Sequence, residues 1–332
     1  MSTRELDAAG ISDPYLRESY ETCRELNAAH GKTYYLATLL LPSSKRPYVH
    51  ALYGFARYAD EIVDDLASTL TDAEKADWLG SWGQAFLDDV QRGWSDDPVS
   101  MAVVDTVLTW DIPTAHFEAF LHSMAMDLTV TEYRTYDDLY EYVYGSAAVI
   151  GLQMVPILGP TRPEAYDRAV DLGVAFQLAN FVRDVGEDLD RGRVYLPLDE
   201  LESFGVTRAD LERRTMTPDI VEALKFQVQR VRDLEERSRP GVEMLHPSSR
   251  DCIEAARVLY CGIVDEVERN DFDVFGRRAT VPMRRRLAVA GPALWRARRA
   301  RREFGSGQPP TRKESHVPHA EPGGAGLDGH PR

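Results

Sequence analysis

The chain has 332 residues, a formal net charge of −15, 43% hydrophobic and 28% charged residues. That is enough for one or two domains with a sizeable core, and the acidic balance argues against general nucleic-acid binding. Three widely spaced cysteines, Cys23, Cys252 and Cys261, suggest neither a disulfide framework nor a zinc knuckle and fit a reducing cytoplasm.

In chain order the pattern predicts helices and almost nothing else. The N-terminal MSTRELDAAGISDPY is too polar for a signal peptide. Ser12-Asp-Pro14 reads as a cap and first turn of a helix towards His30. His30-Gly-Lys-Thr-Tyr34 breaks it, and a further helix is expected to run to Pro42. Pro47 opens a helix to Leu66; Thr71 to Gly93, Pro98 to Trp110 and Pro113 to Asp127 follow as further helices. Asp137 to Leu158 is expected as one helix carrying a small-residue patch, Gly145 to Gly151. Its most apolar part, Ser146 to Gly159, is shorter than the ~18 residues of a membrane span and contains Pro156, so it reads as buried. Pro163 starts a helix through Asp188, and Pro218 to Glu236 and Pro240 to Asn270 complete the series. With no internal repeat and no period-2 strands, the expectation is one all-α domain over 1–302. Residues 303–332, rich in Pro, Gly and His, are expected to be a disordered tail.

Two helices carry polar stripes. At ~100° per residue, Gly173, Gln177, Asn180, Asp184 and Asp188 share one face. Asn180, Asp184 and Asp188 stack their oxygens at i, i+4 and i+8, and the two carboxylates repel unless a cation sits between them. A hard divalent ion such as Mg²⁺ takes oxygen ligands of this kind. Arg183 and Glu187 point a quarter-turn or more away, and Arg191, Arg193 and Tyr195 follow. Upstream, Tyr53, Arg57, Asp60 and Asp64 form a second stripe beside an apolar one of Leu52, Phe55, Ala59, Val63 and Leu66; Glu61 and Asp65 turn away from it. A solvated charged face is the plain alternative for either stripe alone.

Asp60-Glu-Ile-Val-Asp64, Asn180-Phe-Val-Arg-Asp184-Val-Gly-Glu-Asp188 and Arg191-Gly-Arg-Val-Tyr-Leu-Pro197 together resemble the phytoene and squalene synthase family of head-to-head prenyl transferases, the last of them its phytoene branch. The similarity runs from about His30 to Arg277. It implies a class I isoprenoid synthase helical bundle around a central active-site cavity. It further implies metal ligation by Asp60, Asp64, Asn180, Asp184 and Asp188, with Mg²⁺ as the ion and Mn²⁺ as the alternative. Substrate contacts are implied for His30, Gly31, Lys32, Thr33, Tyr53, Arg57, Gln177, Arg183 and Tyr260. Gly31 and Thr33 stand where the family commonly has serine, which puts the hydroxyl contact at 31 in question.

Carbocation chemistry predicts Tyr53, Tyr142 and Tyr260 near the cavity centre, ordinary core packing being the alternative for each. Thr38, small and one turn beyond Tyr34, is expected to leave depth for twenty-carbon chains. The resemblance implies condensation of two geranylgeranyl diphosphates through a cyclopropylcarbinyl (prephytoene) diphosphate to phytoene, without NADPH. A squalene or dehydrosqualene synthase using farnesyl diphosphate is the alternative, then a terpene cyclase acting on one prenyl diphosphate. A helical metal-binding protein is the non-enzymatic one.

The segment Arg277 to Arg302 holds ten arginines and no acid, leaving −25 for the rest of the chain (−15 less +10). Apolar residues and Trp295 among the arginines predict a peripheral contact with anionic lipid at the inner membrane surface of a cytoplasmic protein; a solvated helix is the equal alternative. The sequence does not give the oligomeric state.

Overall fold

The computed structural model describes residues 3–64 and 70–307. The side chains of Lys32, Thr33 and Asp64, three residues expected at the site, lie outside the described residues. The helices are α1 (Thr3–Ala8), α2 (Pro14–His30), α3 (Lys32–Thr38), α4 (Arg46–Asp64), α5 (Asp72–Arg92), α6 (Pro98–Trp110) and α7 (Ala115–Met126). They continue as α8 (Tyr136–Val143), α9 (Val149–Leu158), α10 (Ala165–Asp190), α11 (Leu198–Ser203), α12 (Arg208–Glu212), α13 (Pro218–Ser238), α14 (Pro247–Arg269) and α15 (Met283–Phe304). Among the described residues the only β-pairings are isolated bridges, Glu132 with Val194 and Pro160 with Leu245.

Local chemistry explains the helix starts. Proline occupies the first turn of α2, α6, α13 and α14, where its missing N–H costs nothing. Asp13 Oδ1 accepts from Leu16 N at 2.8 Å and Asp97 Oδ2 from Ser100 N at 2.7 Å. Thr71 with Glu74, Thr135 with Asp138, and Thr207 with Asp210 close reciprocal capping boxes, each satisfying two otherwise orphaned donors.

Packing gathers the helices around two apolar cores. The first lies among α2, α4, α5, α6 and α7; Phe55 is buried there with its ring centroid 4.6–5.8 Å from those of Trp82, Phe86, Phe117 and Phe120. A phenylalanine so enclosed is worth about 3–5 kcal/mol against alanine, which anchors the apolar stripe of α4 and leaves its polar stripe facing the other way. The second core joins α8, α10, α13 and α14. α10 packs against α9, α13 and α14, and Val170 on it touches both cores.

The all-α expectation holds, with four local corrections. The segment 136–158 is continuous but contains a π-helical turn at Tyr144–Ala148. There a Cβ on Gly145 would lie 2.1 Å from Ala119 O and from Ser123 Oγ, so the backbone is drawn tight against α7. This helix is long and apolar enough by composition to cross a membrane, yet most of its apolar window is buried within the fold. Pro240 lies in the first turn of a 3₁₀ segment, Arg239–Met244, and the helix expected to start there, α14, starts at Pro247. α3 stops at Thr38 instead of reaching Pro42. α15 continues to Phe304, past the expected domain end at 302, while residues 308–332 of the expected tail lie outside the described residues.

Candidate active site

A cavity of about 280 Å³ lies between α3, α9, α10 and α14. Its lining follows α10 from Asn180 down to Ala165, a length of about 22 Å at ~1.5 Å per residue. Gln177 and Asn180 lie at one end, Arg168 and Ser238 at the other, and Thr38 and Ser146 between; the rest of the walls are mostly apolar, with Ala147, Gly151 and Ala256 among them. Small residues hold the walls close. A Cβ on Gly173 would sit 2.7 Å from Ala147 O, and one on Gly151 would sit 2.7 Å from Ala169 O. The small patch at 145–151 therefore divides its work: Ser146, Ala147 and Gly151 face the cavity, and Gly145 faces α7.

At the Asn180 end a row of rings joins the two polar stripes. Tyr53 on α4 lies 6.0 Å from Tyr34, Tyr34 lies 5.9 Å from Tyr260, and Tyr260 stacks on Phe176 of α10 at 4.8 Å. Burial pushes the Tyr260 hydroxyl well above its ordinary pKa, opposed by the charges of Arg183 and Arg286; it stays a neutral phenol. Gly31 closes the row from the α2 side. A Cβ there would stand 2.4 Å from Asn27 Oδ1 and 2.8 Å from Tyr53 Cζ, so the family's serine does not fit and the hydroxyl contact in question is absent at 31. Gly31→Ser is expected to displace Tyr53, lowering kcat/KM roughly tenfold and the Tm by several degrees; steady-state kinetics and a thermal melt read both.

On α4, Arg57 Nη1 donates to Asp60 Oδ2 at 2.7 Å and its Nε to Glu61 Oε1 at 3.1 Å. His30 Nε2 lies 3.4 Å from the same Glu61 oxygen. Glu61 thus joins the site that the stripe geometry had turned it from. These partly exposed pairs are worth at most about 1 kcal/mol each, so they position charge without locking it. On α10, Arg183 folds back onto Asp184, with Nε to Oδ1 at 2.6 Å and Nη2 to Oδ2 at 2.5 Å. Arg278 grips the same carboxylate at 2.9 and 3.0 Å and lies 3.4 Å from Glu187. The Asp188 carboxyl is pushed up to about 7, first by burial and then by the charge of Asp184, against the pull of Arg191 and Arg193. The stacked carboxylates therefore carry the mutual repulsion that their spacing implies.

The donor types fit a hard divalent ion: Asp60, Asp184 and Asp188 offer carboxylate oxygens and Asn180 an amide oxygen. Among the described residues no three His, Cys, Asp or Glu side chains converge as a preformed cage. An ion of the Mg²⁺ type needs one or two protein carboxylates, its remaining ligands coming from phosphate and water.

Of the three tyrosines expected near the cavity centre only Tyr260 lines it; Tyr53 is absent from the walls and touches the row through Tyr34, and Tyr142 requires a larger correction. It does not line the cavity; it is buried in the second core beside Tyr133, Phe181 and Tyr195, and its hydroxyl donates to Asp127 Oδ2 at 2.7 Å. Tyr195 donates to Asp127 Oδ1 at 3.0 Å, and Arg193 N donates to Asp188 O at 2.8 Å. The Arg-Gly-Arg-Val-Tyr run thereby folds back and braces the end of α10. The sequence pattern does not single out four participants: Arg278, Glu61, Phe176 and Tyr34 as a ring of the row. Phe176 precedes Gln177 in the sequence and Tyr34 precedes Thr38 by one turn, so both were within reach of the pattern.

Residues 27–285 match the family model described as squalene/phytoene synthase. The chain is 36% identical over 294 residues to a phytoene synthase of Arthrospira platensis and 35% identical over 294 residues to a 15-cis-phytoene synthase of Synechococcus elongatus, in each case over 85% of this chain and 94% of the relative. Among solved structures it is similar to a dehydrosqualene synthase, with a TM-score of 0.77 at 27% identity over 85% of this chain and 98% of the other. A squalene synthase from Alicyclobacillus acidocaldarius gives a TM-score of 0.74 at 25% identity over 80% and 99%.

Proposed function

The chain belongs to the squalene/phytoene synthase family, and from that premise we propose that it is a phytoene synthase joining two geranylgeranyl diphosphates head to head. The observation that carries the reading is the row Tyr53–Tyr34–Tyr260–Phe176, which joins two carboxylate–arginine stripes across one end of a long apolar cavity. Relatives named phytoene synthase are 35–37% identical over 82–85% of this chain, which supports the phytoene branch.

Each part of the site has a task in this reaction. Bound Mg²⁺ supplies the positive charge that a departing diphosphate requires. Asp60, Asn180, Asp184 and Asp188 are the residues to hold it, with Asp64 expected to join them. Arg57, Arg183 and Arg278 present guanidinium N–H groups whose fork matches phosphate oxygens. Loss of diphosphate from the first substrate leaves an allylic cation, which the double bond of the second attacks; a proton is lost and a cyclopropylcarbinyl diphosphate results. Loss of its diphosphate, rearrangement and release of one more proton give the hydrocarbon. The faces of Tyr34, Phe176 and Tyr260, which line the cavity, stabilise such cations by ~0.5–2 kcal/mol each, and the apolar walls keep water from quenching them.

The test is direct. Purified protein with Mg²⁺ and geranylgeranyl diphosphate, without NADPH, is expected to give a forty-carbon hydrocarbon, and EDTA in excess is expected to stop it. Turnover of farnesyl diphosphate alone, or a need for NADPH, would move the chain to the squalene branch.

A further inference from the structure

The arginines of the C-terminal segment divide into two sets. On the inner side of α15, Arg285 pairs with Asp265 at 2.7 Å and Glu266 at 3.1 Å, and Arg296 pairs with Asp251 at 2.6 Å, all on α14. Ala293 and Ala297 on α15 are buried. That half of the basic signal is structural. On the outer side Arg284, Leu287, Trp295, Arg298 and Arg302 are all exposed, and their positions fall within about 80° of one another around the helix. Arg284, Arg298 and Arg302 have no ion-pair partner among the described residues, whereas Arg299 lies 3.7 Å from Glu303.

Large apolar side chains share this face. Met283 is 62% exposed, Leu287 65% and Trp295 65%. The chain's other four tryptophans are buried or half-buried, so the exposure of Trp295 is particular to α15. An indole between guanidinium groups on the outside of a helix suits the boundary between lipid headgroups and acyl chains, where the ring rests at headgroup depth and cations meet phosphates.

We propose that the outer face of α15 docks the protein on an anionic membrane surface. Charge complementarity sets the orientation, and the exposed apolar side chains select the occupant. The chain outside residues 277–302 carries a net −25, so an anionic bilayer repels the body as a whole and attracts this basic face. RNA offers the same phosphates but nothing for Met283 and Leu287 to enter, and the acidic body repels it equally. The docking does not depend on which prenyl diphosphate the cavity takes, so its test is separate from that of the catalytic reading.

Full-length protein is floated with phosphatidylglycerol/phosphatidylcholine vesicles and with phosphatidylcholine vesicles alone. Flotation with the first only, weakened by salt and accompanied by a blue shift of Trp295 emission (wild type minus W295A), is the expected result. The double variant R298E/R302E is expected to weaken binding by at least about a hundredfold, and W295A by about tenfold, with unchanged turnover of soluble substrate and an unchanged thermal melt. Absence of flotation on anionic vesicles, equal flotation of wild type and variants, or an unshifted Trp295 on the vesicles would overturn the proposal. So would tighter binding to an RNA oligomer than to anionic vesicles, since it would assign the face to nucleic acid.

Discussion

Asp60→Asn and Asp184→Asn are each expected to lower kcat by at least about a thousandfold, equivalent to roughly 4 kcal/mol of lost transition-state stabilisation. Asparagine keeps the shape and one oxygen but removes the charge that holds a divalent ion and, through it, a diphosphate. The two variants differ in what they do to the fold. Asp60 lies at the partly exposed end of α4, and its partner Arg57 retains Glu61 at 3.1 Å, so the Tm should hardly move. Asp184 sits between Arg183 and Arg278, and its own side chain is only 15% exposed. Neutralising it leaves Arg183 facing an amide, at a cost of about 1–3 kcal/mol. Rapid-quench kinetics with geranylgeranyl diphosphate, beside circular dichroism and a thermal melt, separates the two effects. A near-wild-type kcat in either variant would remove that aspartate from the metal site.

Thr38→Phe is expected to redirect the enzyme from twenty-carbon to fifteen-carbon substrates. Thr38 lines the cavity one helical turn beyond Tyr34, is almost fully buried, and bonds its hydroxyl back to Tyr34 O at 2.9 Å. The lining from Asn180 to Ala165 spans about 22 Å of α10, close to the extended length of a four-unit isoprenoid chain. A phenyl ring at 38 projects into that length, and overpacking of this kind costs about 1–3 kcal/mol, or ten- to a hundredfold against the longer chain. Farnesyl diphosphate should then outcompete geranylgeranyl diphosphate in a mixed incubation, with thirty-carbon product in the extract. An unchanged forty-carbon product from Thr38→Phe would show that depth is set elsewhere.

The parts of this site that were legible in the sequence are those on regular helices. Asp60 and Arg57, and Gln177, Asn180, Asp184 and Asp188, keep the 3.6-residue period, so their common faces follow from spacing alone. What the period did not carry was lost at irregular backbone. Tyr142 stands four residues before Ser146 and should share its face, but the π-helical turn at 144–148 inserts about one extra residue of phase. Everything upstream is rotated, and Tyr142 turns into the second core. Arg278 belongs to the stretch between α14 and α15, where no period says which of two adjacent arginines points inward. The Cα of Glu61 lies off the stripe, and that of Arg183 a quarter-turn away. Long side chains such as that of Arg57 reach across such an angle, which a wheel of Cα positions ignores.

The close passage of α10 against the helix that ends as α9 sets a rule for how such a site can change. Gly173 meets the Ala147 carbonyl and Gly151 the Ala169 carbonyl, so the spacing of those two walls is held backbone to backbone. A larger residue at either glycine drives two helices apart and disturbs both cores at once. The cavity floor and the turn around Thr38, by contrast, are built from side chains that can be exchanged singly. Single substitutions are therefore expected to change the length of hydrocarbon accepted, whereas a thicker or more branched one requires the two helices to move apart. The fold behaves as a ruler, adjustable along one axis and rigid across it.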